Sequence, residues 1–164
     1  MSPGGAVDVG LQLAVEQLLA RCAHAIDDDR LEEWPEFFTE SARYQITTAE
    51  NLERGLPLTI ASADSRAMLR DRISALRHAN IYEAQRYRHL LSATLLERID
   101  GATVRATSSF AVLRIMHTGE SALFASGRYL DRIRLAGERG APQFEERIVV
   151  LDSRQVDTLL AIPL

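Results

Sequence analysis

The chain has 164 residues, 46% of them apolar, with a net charge of −4 and a pI near 5.6. That is enough for one globular domain with a substantial core, and the acidic balance argues against the basic face that a nucleic-acid partner requires. No run approaches the ~18 consecutive apolar residues of a membrane span; Met1-Ser2-Pro3-Gly4-Gly5 lacks the basic-then-apolar order of a secretion signal.

Residues 1–8 read as a disordered lead-in and 9–164 as a single domain. Leu11, Ala14, Val15, Leu18, Leu19, Cys22 and Ile26 recur at helical spacing, which predicts a helix over about 9–26 with Asp8 as its N-cap. The run Asp27-Asp28-Asp29 ends it, and Glu32 three residues after Asp29 predicts a capping box for the next helix. That helix, with Leu31, Trp34, Phe37 and Phe38, is short and aromatic because Pro35 limits it. Ala42–Thr48 reads as a strand, followed by a loop with Gly55 and Pro57 and a third helix from Asp64 or Ser65 to His78.

Four further strands are expected: Tyr87–Ile99, closed by the Asp100-Gly101 turn, Thr103–His117, Ser121–Leu135 and Phe144–Leu151. Strands joined by short turns predict an antiparallel meander, and the helices must cover one face of it. The class is α+β.

The chemistry-bearing residues are few. His24, His78, His89 and His117 are not at ligand spacing, and the single cysteine, Cys22, lies on the first helix's apolar stripe as a buried filler. One cysteine forms no intrachain disulfide and points to a reducing cytoplasm. A Rieske cluster needs two cysteines from one chain, and no glycine fingerprint or nucleophile elbow is present. All 19 basic residues are arginine. Schiff-base chemistry is thereby excluded, and arginine is the cation favoured at interfaces.

Two features remain. Asp27 ends the first helix and His89 shares a strand face with Tyr87 and Leu91, so a sheet wrapped around the helices brings them together. An Asp–His pair at the mouth of a cavity can move protons; equally, His89 can be a hydrogen-bonded strand histidine at an interface. The other feature is the apolar tail Asp157–Leu164. Each of its large side chains is worth roughly 1.5–3 kcal/mol on burial, so it must dock in its own core or on another chain.

The motifs Glu33-Trp34-Pro35-Glu36-Phe37-Phe38 with Tyr44, Asp71–Arg77, Tyr87-Arg88-His89, Val112–Glu120, Phe124–Gly127 with Tyr129-Leu130-Asp131, and the closing tail carry a resemblance. The order of elements resembles the cone-shaped nuclear transport factor 2-like (cystatin-like) fold, a curved antiparallel sheet wrapped around N-terminal helices. Within that fold, from residue 11 onward, the sequence resembles the small (beta) subunits of aromatic-ring-hydroxylating dioxygenases, nearest to their terephthalate-type branch.

The resemblance implies a non-catalytic small subunit that trimerises within an α3β3 terminal oxygenase. The Rieske [2Fe-2S] cluster and mononuclear Fe(II) then belong to the large (alpha) subunit, with NADH acting through a separate reductase. No cofactor, metal or catalytic residue is expected in this chain. The interface candidates are Arg86, Arg88, His89, Leu159, Leu160, Ile162 and Leu164, with the Arg-rich third helix beside them. The rival expectation is a free-standing dehydratase, cyclase or isomerase using Asp27 and His89 in a closed apolar pocket; a small-ligand binding module is a third.

Overall fold

A computed structural model describes residues 7–79, 85–138, 140–153 and 162–164. Helix α1 spans Val9–Asp27, and Asp8 Oδ1 accepts the Leu11 N–H at 2.6 Å, as its N-cap. Its buried stripe is Val15, Leu18, Leu19, Cys22 and Ile26.

A 3-10 helix follows at Leu31–Phe37, with no side-chain cap. The expected capping box does not form. Asp29 turns into the left-handed region at φ 60°, and Arg77 takes both carboxylates instead. Arg77 Nε donates to Glu32 Oε1 at 2.7 Å and its Nη1 to Asp29 Oδ1 at 2.8 Å, which clamps the third helix to this turn.

The Arg77 hydrogen bond holds the Glu32 carboxyl below its ordinary value of 4.5. A carboxylate favoured in its ionised form by folding stabilises fully above that value, and the contribution is lost as pH falls through it and below. Arg77→Ala is therefore expected to lower Tm at neutral pH by an amount that shrinks below about pH 4. Melting curves across that range check it; a pH-independent gap would contradict it.

Strand β1 runs Phe38–Thr48, longer at its start than the periodicity predicts. Helix α2 (Ala49–Glu53) and the three-residue β2 (Ala61–Ala63) occupy what reads as loop, and α3 covers Arg66–Ala79. The remaining strands are β3 (Gln85–Leu91), β4 (Leu95–Arg98), β5 (Thr103–Met116), β6 (Ser121–Arg134) and β7 (Gln143–Leu151). The stretch expected as one strand from Tyr87 to Ile99 is two strands on the same edge of β5. Leu91 and Leu95 pair with Phe110 and Thr107, so four steps face three and the excess bulges out at Ser92–Thr94. Gln12 of α1 holds the bulge through the Thr94 carbonyl at 2.7 Å.

The sheet order is β2-β1-β7-β6-β5-β3, curved and unclosed. It departs from an all-antiparallel sheet at one pairing: β1 and β7 run parallel, Tyr44 beside Arg147 and Ile46 beside Val149. Parallel neighbours need a long crossover, and here the rest of the chain supplies it. The core lies between the concave face and α1, with Trp34, Phe38, Tyr44, Tyr129 and Phe144 all essentially inaccessible.

Gly127 of β6 packs without room. A Cβ there would sit 1.9 Å from the Val150 carbonyl oxygen, which is backbone and cannot swing aside. Gly127→Ala is expected to cost at least about 1–3 kcal/mol, read as a lower denaturant midpoint; an unchanged midpoint would refute the contact.

Candidate functional site

Asp27 and His89 do meet. The last residue of α1 turns its carboxylate under β3, where Oδ2 accepts the His89 backbone N–H at 2.8 Å. Oδ1 lies 2.6 Å from His89 Nδ1, with both side chains almost fully buried. An ionised carboxylate only accepts, so Nδ1 is the donor of this bond. Nε2 is buried without a hydrogen-bond partner among the described residues. Arg88 approaches Asp27 only to 3.9 Å.

A base held by an orienting carboxylate is the geometry of acid–base catalysis, but chemistry also needs a space for substrate. Four surface clefts among the described residues, lined from α1, the 3-10 helix, β1 and α3, include neither residue. Part of the concave face is filled by side chains. Tyr129 stacks on Phe110 at 4.3 Å, and the Arg147 guanidinium lies 3.9 Å from the Tyr129 ring centre and 4.2 Å from that of Phe144.

Arg147 and Asp131 form a buried ionic pair. They are direct partners across β7 and β6, joined by two parallel bonds of 2.8 Å each. Burial pushes the Asp131 carboxyl up while Arg147 pulls against it. Beside them Cys22 has its thiol pushed up to about 11 by burial, so it stays protonated and inert. Sequence reasoning missed this pair. The signal was available, because Tyr129, Asp131 and Ile133 share one strand face, and a lone charge among aromatics at that parity calls for a counter-ion.

The other predicted residues divide. Arg86 and Arg88 are exposed on the outer face of β3, whereas His89 points inward and is buried. Leu164 is also buried. The Tyr44 hydroxyl donates to its carbonyl oxygen and accepts its N–H, both at 3.2 Å, so the end of the tail docks in the chain's own core. Ile162 packs half-buried against that core, and Leu159 and Leu160 lie outside the described residues. In α3 three arginines are committed within the chain: Arg66 to the Phe38 carbonyl and Glu138, Arg70 to Glu36, and Arg77 to Glu32 and Asp29. Among the described residues, no group of three or more His, Cys, Asp or Glu converges to hold a metal. No helix there is long and apolar enough to cross a membrane.

Residues 9–139 match the family of the SnoaL-like domain. The chain is 46% identical over 153 residues to both beta subunits of the terminal oxygenase component of terephthalate 1,2-dioxygenase from a Comamonas species, covering 93% of this chain and 98% of each relative. It is 37% identical to the small subunit of anthranilate 1,2-dioxygenase from Burkholderia cepacia, over 85% of each chain. Among solved structures, a beta subunit assigned to an aromatic-ring-hydroxylating dioxygenase of Novosphingobium aromaticivorans superposes with a TM-score of 0.85 at 35% identity, covering 93% of this chain and 96% of that one.

Proposed function

Since this chain belongs to the SnoaL-like family, among the beta subunits of aromatic-ring-hydroxylating dioxygenases, we propose that it serves as the non-catalytic small subunit of an aromatic-acid dioxygenase of terephthalate type. The observation that carries the reading is the 46% identity to the terephthalate beta subunits over nearly the whole of both chains. The packing fits it: Arg147, Tyr129 and Phe110 interlock on the concave face as part of a rigid core.

On this reading, residues 9–164 act as one unit in an α3β3 oxygenase in the cytoplasm. The large subunit holds the Rieske cluster and the mononuclear iron, a reductase delivers electrons from NADH, and the substrate is read by the large subunit alone. Arg86 and Arg88 are the contacts offered to other subunits; His89 and Leu164 serve the inside of this one.

Co-expression with its cognate large subunit tests the reading. The two chains are expected to co-purify as one particle, and the large subunit made alone is expected to lose assembly and activity together. An active, assembled large subunit in the absence of this chain would overturn the structural role.

A further inference from the structure

A cleft that includes neither Asp27 nor His89 opens beside α1, where the 3-10 helix and the β6–β7 connection converge on it. Ala14, Leu18 and Arg21 lie at i, i+4 and i+7 along α1, so the helical period sets them on one face. With them the cleft is lined by Phe37 of the 3-10 helix and Pro142 of the connection. Leu18 is buried and Ala14 and Phe37 are half-buried, which makes the floor apolar. The cavity measures about 380 Å³, within the range of small-molecule sites.

Its far wall is held in place. Gln143 Nε2 donates to the carbonyls of Glu36 and Phe38 at 3.1 and 3.2 Å, and its Oε1 accepts the Glu138 N–H at 3.1 Å. Both ends of this amide are spent on backbone, which ties the connection to the 3-10 helix. A wall already fixed costs a ligand little ordering on binding.

The charges select the kind of ligand. Three carboxylates line the cleft and each has its own arginine: Glu33 with Arg30, Glu36 with Arg70 and Glu138 with Arg66. Arg21 is exposed and has no hydrogen bond or ion pair among the described residues. The unbalanced charge of the cleft is therefore one cation, set beside an aromatic ring and an aliphatic floor. A flat apolar body with a carboxylate answers both: the guanidinium fork meets the carboxylate, and Leu18 and Phe37 cover the ring.

We propose that this cleft binds a small aromatic carboxylate, with Arg21 as its anion partner and Ala14, Leu18 and Phe37 against its ring. The site stands on its own geometry and does not rest on the subunit reading. Within that reading it gives the small subunit a ligand of its own, while selection of the substrate stays with the large subunit.

Calorimetric titration of the purified full-length chain with benzoate tests it. Benzoate is expected to bind at a single site per chain with a Kd on the order of 1 mM, the range open to so small a ligand. Benzamide keeps the shape without the charge, and acetate keeps the charge without the ring. Each is expected to bind at least about tenfold more weakly. Arg21→Gln is expected to weaken benzoate by at least about tenfold at an unchanged melting temperature, since its exposed side chain holds no partner in the fold. Ala14→Phe, which fills the floor and leaves the charge, is expected to abolish binding. No saturable binding, an affinity unchanged in Arg21→Gln, or benzamide binding as tightly as benzoate would each overturn the proposal. In the assembled oxygenase, fluorine NMR of a fluorobenzoate is expected to count one more bound ligand per small subunit in the wild type than in Arg21→Gln. Equal counts would mean that a partner covers the cleft, which would sink this inference and leave the proposed function intact.

Discussion

Replacing Asp131 by Ala is expected to destabilise the protein by about 3–5 kcal/mol, the largest loss of the substitutions considered. The cause is what stays behind. Arg147 cannot shed its proton, and without Asp131 its guanidinium would remain charged among Tyr129, Phe144 and Cys22, 3% exposed, with its bidentate partner gone. The folded state of a domain this size holds only about 5–15 kcal/mol, so much of that margin would disappear. Removing both charges is a different case. An Asp131→Leu, Arg147→Met double variant leaves no orphan and is expected to recover most of the loss, because a buried pair is often replaceable by apolar groups of similar volume. Denaturant unfolding of both variants decides the matter. If the single variant loses under about 1 kcal/mol, or the double is no better than the single, the pair is not the anchor described.

Asp27→Ala is the second large effect, expected at about 2–4 kcal/mol. Two donors of β3 depend on this carboxylate, the His89 backbone N–H and Nδ1. Each is buried, and each would lose its partner at about 1–3 kcal/mol before relaxation. The same variant separates structure from chemistry. Within an assembled oxygenase, turnover per complex and its pH profile are expected to stay as in the wild type, because the pair ties α1 to the sheet edge. A turnover collapse at full assembly would instead make His89 a proton-transfer residue.

The helices and long strands were legible because their signals are local. The apolar period of α1, the stripe of α3 and the turns at Asp100-Gly101 and Thr118-Gly119 lie within a few residues of what they determine. The misreadings share the opposite property. Glu32 looked like half of a capping box, but its partner is an arginine 45 positions away. The parallel pairing of β1 with β7 joins Tyr44 to Arg147 across most of the chain, and no window of sequence contains both. The break at Ser92–Thr94 depends on how many residues β5 offers opposite it. For the site, the meeting of Asp27 and His89 followed from a wrapped sheet and two strand parities, whereas Asp131 and Arg147 needed the knowledge that β6 and β7 are neighbours.

The buried Cys22 has a practical consequence for anyone mapping how this subunit is held. Its thiol is the only one in the chain, fully enclosed and pushed up to about 11, and the sequence contains no lysine. Thiol and amine reagents therefore find almost no target in the native fold beyond an amino terminus. A cysteine introduced on an exposed outer-face position such as Ser109 would be labelled alone, without first engineering a silent background. Amine-directed cross-linking, by contrast, would pass over this chain and portray its neighbours as though it were missing.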